Sequence, residues 1–566
     1  MRRPLVWLLA FAVAGMIAAA LWSARARVPE QAVLVLELGG ELDEAPPRDL
    51  LGQLQARGPA LPSLLLLLDM AVADARVKAV LVHVRPLAVG YARIQELRDA
   101  LGRVRGAGKP VVALVDGGSL NATRELYLAS AASKVFVEPS ALAPLAGISG
   151  QFVFLAGFFE KIGIEWEVSR VGEYKSAAEQ FAAREMSPQA REMTDSLLDG
   201  IFGQIVEGIA AGRELEPAEV RALIERAPGT PDELVAARLA DGVAERENVL
   251  EKADLRGAEE VEADTYLRVD AQSLGLRSGP TIALVFGDGA LVDERGRGFS
   301  QVFAADETVK SLDEAAKDDE IRAVVLRVNS PGGGVQASDK VWRAIQRVRA
   351  KKPVVVSMAD AAASGGYYVA SAASAIVAEP ATLTGSIGVY LLRPSFSGLY
   401  EKLAIGTQAI ERGPYAGVAG GDRPFTPAQQ ARTDEFIAQS YRDFVSRVSE
   451  GRGIPADGVD ALARGRVWLG SDAFARKLVD EIGGLRTAVE RARREAKLES
   501  EPDPVRLILP APRSPAEQLR ELVRGDLRER LLQALLPVEL PFAAALEWLP
   551  SSGALAYLPP YWIEIR

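Results

Sequence analysis

The stretch Ile321-Arg-Ala-Val-Val-Leu-Arg-Val-Asn-Ser-Pro-Gly-Gly-Gly334 joins an apolar, β-branched run to a glycine-rich turn. An amphipathic segment follows at 335–350, then a second apolar run at 353–359, a small-residue segment at 364–374 and a third run at 375–378. Another apolar run lies upstream at 281–286. Strand-length runs that alternate with helical periodicity indicate α/β units with mostly parallel strands. Glycines at a strand end let backbone N–H groups approach a ligand closely and point at an anion. A phosphate-binding loop is excluded here, because no Gly-Lys-Ser/Thr follows.

The same order of motifs occurs twice. Lys109-Pro-Val-Val returns as Lys352-Pro-Val-Val, and Ala129-Ser-Ala-Ala-Ser133 as Ala370-Ser-Ala-Ala-Ser374. Glu160-Lys161 returns as Glu401-Lys402, Gly172-Glu-Tyr174 as Gly413-Pro-Tyr415, and Arg238-Leu-Ala-Asp241 as Lys477-Leu-Val-Asp480. The spacing stays between 239 and 243 residues throughout. Two related units are therefore expected at 28–275 and 276–500, with the linker near 272–279. Residues 1–27 precede them. A tail at 501–566 follows, with a Pro-rich joint at 507–515, an amphipathic helix at 516–536 and an apolar, aromatic end.

Two small counts exclude whole chemistries. The 566 residues contain no Cys and one His, His83. No disulfide framework, thiolate nucleophile or iron–sulfur cluster is possible, and no two-His metal site within one chain. A Ser–His–Asp triad would have to run through His83. That residue sits inside the alternating run Val82-His83-Val84, which reads as strand structure. A net charge of −10 without a long basic run argues against nucleic acid as the partner.

The amino end reads Met-Arg-Arg-Pro and then runs uncharged from Leu5 to Trp22. As a helix these residues would reach about 27 Å, close to the hydrocarbon thickness of a bilayer. This is longer than the usual apolar core of a secretory signal, so an uncleaved anchor is preferred over a cleaved signal ending near Ala24-Arg25-Ala26. Arg2 and Arg3 favour a cytoplasmic amino end, with the remainder outside the cytoplasm. Membrane lipid is thus an expected partner of residues 5–22.

Four segments have residues suited to chemistry. Asn329-Ser-Pro-Gly-Gly-Gly334 is the glycine turn. Ala361-Ala-Ala-Ser364-Gly-Gly-Tyr-Tyr368 places an accessible serine where a strand gives way to a helix, and the Gly365 N–H could join the glycine turn in an oxyanion hole. Thr382-Leu-Thr-Gly-Ser386-Ile-Gly388 and Val171-Gly-Glu-Tyr-Lys175-Ser-Ala177 read alone as a capped turn and a surface lysine. The repeat changes their meaning. Lys175 falls opposite Ala416, Ser386 opposite Leu145, and Ser364 opposite Thr123 or Asn121. The glycine turn falls opposite Arg85-Pro-Leu-Ala-Val-Gly90. Each unit lacks what the other keeps, as expected of two copies that now share one composite site.

Taken together these motifs resemble the signal peptide peptidase A family in its long, tandem-duplicated form. The resemblance covers nearly the whole chain, and the tail is the part that departs. It implies two tandem Clp-protease/crotonase-like (ββα superhelix) domains of α/β class behind an N-terminal transmembrane helix. It implies a serine endopeptidase with Ser364 as nucleophile, Lys175 as general base, Ser386 contacting that lysine, and Gly333 and Gly365 supplying oxyanion N–H groups. It implies no cofactor and no metal. Its substrates would be remnant signal peptides and other hydrophobic peptides. Its setting would be the bacterial inner membrane, with the catalytic units on the periplasmic side, and its assembly a homo-tetramer. The residues agree chemically, since a lysine can act as a base only when burial keeps it neutral. An acyl-CoA hydratase of the crotonase type would have no use for the Ser364/Lys175 pair. A non-catalytic scaffold would not need every dyad element.

Overall fold

The computed structural model of the protein describes residues 28–46, 58–295 and 302–510, and the backbone of 556–557. The expected anchor at 1–27 and the expected helix at 516–536 lie outside the described residues. Among the described residues no helix is long and apolar enough to cross a membrane.

The repeat appears as two parallel sheets with one strand order. The first runs Gly242–Val243, Lys134–Val137, Val111–Val115, Val77–Leu87, Ala32–Gly40, Glu259–Glu262. The second runs Glu481–Ile482, Ala375–Ala378, Val354–Ala363, Ile321–Ser330, Gly279–Asp288, Pro504–Leu509. It carries two further strands beside Val354–Ala363, namely Leu383–Gly385 and, antiparallel to it, Val467–Leu469. Registers also correspond. His83 pairs with Glu37 and Leu114, and Arg327 pairs with Phe286 and Ser357, so the two occupy equivalent places.

The central strands are apolar on both faces because both faces are covered. Val324, Val325 and Leu326 are fully buried, as are Val80 and Leu81. Helix Val335–Arg349 covers one face with Ala337, Val341, Ala344, Ile345 and Val348, a three-and-four spacing. One boundary moves. The tail expected from 501 begins later, because Pro504–Leu509 pairs with Gly279–Asp288 and completes the second sheet. Its apolar residues find an open edge there, as Glu259–Glu262 does on the first sheet.

Charged groups interlock the units. Arg327 is buried with Nε 2.9 Å from Glu44 Oε2 and Nη2 2.7 Å from Glu96 Oε2, both carboxylates coming from the first unit. Burial alone would push the guanidinium pKa down, but the two carboxylates raise it above its ordinary value. Asp360 accepts the Gly90 and Arg93 N–H groups at 3.1 and 3.0 Å, at the start of helix Tyr91–Gly106. Glu96, on that helix, accepts the Leu485 N–H that opens helix Leu485–Glu495. Each unit thus caps a helix of the other. Gly90 has to be glycine, since a β-carbon there would overlap the Asp360 carboxyl.

Candidate active site

Strand Glu165–Val171 of the first unit leaves its own sheet and pairs antiparallel with Val389–Ser395 of the second, from Val171↔Val389 to Glu165↔Ser395. This pairing carries the following loop, with Lys175, into the second unit. Gly172 turns the chain at φ 102°, and the Lys175 N–H closes the turn on Gly172 O at 3.2 Å. In the second unit Gly413 has the same φ, and the Ala416 N–H closes on Gly413 O at 3.3 Å. Ala416 therefore stands where a second lysine would.

The structure brings Lys175, Ser364 and Ser386 together. Lys175 Nζ lies 2.7 Å from Ser364 Oγ, 2.9 Å from Ser386 Oγ and 3.0 Å from Ser386 O. All three residues are fully buried. Burial alone holds the Lys175 amine well below its ordinary pKa of 10.5. None of its hydrogen-bond partners is a carboxylate that would favour its charged form.

Strand Val354–Ala363 ends at Ser364, whose φ of 54° is rare for a side chain other than glycine. A strained conformation of this kind turns the side chain off the strand before helix Gly365–Ala370 begins. The Ser364 N–H donates to Gly385 O at 2.8 Å. In the first unit the equivalent bond runs from the Ala122 N–H to Pro144 O, also 2.8 Å. The backbone thus places Ala122, between Asn121 and Thr123, at the counterpart of Ser364. Asn121 and Thr123 instead tie that turn to Gly147.

Gly333 and Gly365 meet beside the serine. A β-carbon on Gly365 would lie 3.0 Å from Gly333 N and 2.7 Å from Ser338 Oγ. Gly333–Gly334 is a short strand parallel to Leu291, and the backbone of Ala556–Tyr557 runs antiparallel to it, with Gly333↔Tyr557 and Gly334↔Ala556. Ala556 also pairs with Tyr390 of Val389–Ser395. The chain's own two-residue strand therefore bridges the gap between the glycine turn and the strand beside Lys175.

Sequence reasoning missed one segment, Arg464-Gly465-Arg466. Arg464 O accepts the Tyr174 N–H at 3.0 Å, the Gly465 N–H donates to Ile387 O at 2.8 Å, and Arg466 O accepts the Ser386 N–H at 2.7 Å. It fastens the lysine loop to the Ser386 loop. A β-carbon on Gly465 would overlap the Lys175 backbone, and its φ is 85°. A glycine between two arginines gave no signal of this. His83 stays in the first sheet, with Nδ1 3.1 Å from Glu37 Oε1.

Comparisons with known proteins converge. The sequence model of Peptidase family S49 matches residues 103–259 and 346–499, and that of Clp protease matches 299–381. A chloroplastic serine protease SPPA of Arabidopsis thaliana is 33% identical over 486 residues, which is 83% of this chain and 70% of that protein. Protease 4 of Salmonella typhi is 30% identical over 466 residues, 79% of this chain and 73% of its own length. Protease 4 of Haemophilus influenzae is 31% identical over 412 residues, 69% and 66% respectively.

Proposed function

The chain belongs to Peptidase family S49 and is a serine protease, and from that premise we propose that it cleaves peptides with a Ser364/Lys175 dyad. The observation that carries this reading is the buried, carboxylate-free contact between Lys175 Nζ and Ser364 Oγ at 2.7 Å. A neutral amine has two N–H donors and one lone pair. The donors satisfy Ser386 O and Ser386 Oγ, which leaves the lone pair for the Ser364 hydroxyl proton. Ser364 Oγ attacks the scissile carbonyl as Lys175 takes its proton. The oxyanion is held by the Gly333 and Gly365 N–H groups. Lys175 then gives the proton to the leaving amine, and later takes one from the water that hydrolyses the acyl-enzyme.

The substrate enters as an added strand between Gly333–Gly334 and Val389–Ser395, the gap that Ala556–Tyr557 bridges. Backbone pairing of this kind suits extended peptides whatever their side chains. Remnant signal peptides and other hydrophobic peptides at a membrane are the class we assign. Residues 5–22 would anchor the chain in a bacterial inner membrane with both units on the periplasmic side, and copies would assemble as a tetramer. These last assignments rest on the apolar amino-terminal run and on the family resemblance.

The test is hydrolysis of a chromogenic peptide ester by the full chain in detergent. Ser364→Ala and Lys175→Ala should each abolish turnover, and His83→Ala should leave it intact. Full activity in either dyad variant refutes the mechanism.

A further inference from the structure

The strand that delivers the nucleophile has an irregularity four residues before it. Along Ile321–Ser330 and Val354–Ala363 the partners run Val328↔Met358 and then Ser330↔Ala362. Asn329 therefore faces three residues, Ala359, Asp360 and Ala361, a bulge that a regular ladder cannot satisfy. Each of the three finds its own partner. Ala359 O accepts the Thr382 hydroxyl at 2.8 Å. The Asp360 carboxylate caps the first-unit helix at Gly90 and Arg93. The Ala361 N–H donates to Asn329 Oδ1 at 3.3 Å.

The other end of the Asn329 amide is held as well. Its Nδ2 donates to Asp288 Oδ1 at 3.0 Å, from the neighbouring strand, where Asp288 is its register partner. An amide that donates to Asp288 has to turn its oxygen the other way, toward Ala361. Asn329 also begins the turn Ser330-Pro331-Gly332-Gly333. One side chain thus sits at the root of the glycine turn and grips the strand that ends in Ser364.

We infer that Asn329 is a positioning residue for the peptidase reaction, oriented by Asp288, which sets the distance between the Gly333 N–H and Ser364. The inference rests on the dyad reading above. It concerns geometry, and Asn329 touches no reacting atom. Errors of about 1 Å in such an arrangement cost about 10²-fold in rate.

Asp288 gives the test a second readout. Burial and the neighbouring Glu44 push its carboxyl up to about 6, with Asp43 adding to this while Asn329 and Arg93 oppose it. Asn329→Asp would set two carboxylates against each other. At the alkaline end they repel, and the Ala361 contact is lost. As pH falls one of them takes a proton and becomes a donor, which restores the arrangement, and the lost Asn329 donor and the added charge put that step above the value of Asp288 alone.

The experiment measures kcat and KM for the peptide ester from pH 8 to 6, using the full chain in detergent with thermal melts alongside. Asn329→Asp should lower kcat by about 10²-fold at pH 8, with KM within about twofold. Its activity relative to the unaltered chain should climb as pH falls. Asp288→Asn, whose amide oxygen still accepts from Asn329, should stay within about threefold. The double variant Asn329→Asp/Asp288→Asn exchanges donor and acceptor and should recover at least tenfold over Asn329→Asp, with no pH-dependent ratio. A double variant no better than Asn329→Asp overturns the inference even if the single variant folds poorly, and so does an unchanged kcat in Asn329→Asp. Should Ser364→Ala remain active, the dyad reading fails instead, which separates the two outcomes.

Discussion

Lys175 Nζ, carried by the first unit, lies 2.7 Å from Ser364 Oγ of the second, and water reaches neither side chain. One unit thus supplies the amine and the other the hydroxyl of a single buried contact. Removing either group should lower kcat/KM by at least about 10³-fold. Ser386→Ala takes away one of the two donors' partners and leaves Ser386 O in place, so a smaller loss of about tenfold is expected. Steady-state hydrolysis of the peptide ester distinguishes the two grades of loss.

The buried amine makes activity and stability depend on pH in the same direction. Burial holds Lys175 well below 10.5, so the neutral base forms well below that pH and the rising limb of kcat/KM lies there too. Between the folded-state pKa and 10.5 the unfolded chain binds a proton that the folded chain does not. Stability from this group therefore rises with pH across that window and is lost as pH falls through it. Lys175→Met should be inactive yet melt higher at pH 7, by about 2 °C or more. That difference should shrink as pH approaches 10.5. A lower melting temperature for Lys175→Met at pH 7 would contradict this account.

Arg327 holds the units together where charge has no access to solvent. Replacing it with Met leaves Glu96 buried without its cation and Glu44 with only Arg93, 3.5 Å away. A loss of about 3–5 kcal/mol is expected in denaturant unfolding. Activity should fall with it, because Lys175 reaches Ser364 only while the two units keep their register.

Gly465→Ala tests the segment that fastens the lysine loop. The added carbon overlaps the Lys175 backbone in a left-handed conformation, so the loop has to move. The expected result is a loss of about 10²-fold in kcat with a much smaller change in KM. Equal activity would show that the loop is not held there.

Ala556–Tyr557 pairs with both walls of the gap, so a peptide entering there as a strand would have to displace it. A chain ending at residue 510 should show KM lowered severalfold with kcat nearly unchanged. A peptide spanning 550–562, added in trans, should inhibit the shortened chain competitively.

Much of the architecture was legible from residues alone. The alternation of apolar runs with helical segments indicated parallel α/β units, and the repeat spacing paired Lys175 with Ala416. Both depend on local periodicity, which the chain carries along its length. The counterpart of Ser364 was not legible. A one-residue difference before the helix puts Ala122 there, and only backbone hydrogen bonds reveal it. The edge strand Pro504–Leu509 was hidden for a similar reason, since its partner lies more than 200 residues away.

By itself, then, the sequence determined which chemistry was available: no thiol, one histidine in a strand, a serine in a small-residue turn and a lysine that only one unit keeps. Tertiary structure decided that this lysine is a buried neighbour of that serine, with its pKa held well below 10.5. Desolvation and a 2.7 Å approach between residues 189 positions apart arise from packing, which no local pattern encodes.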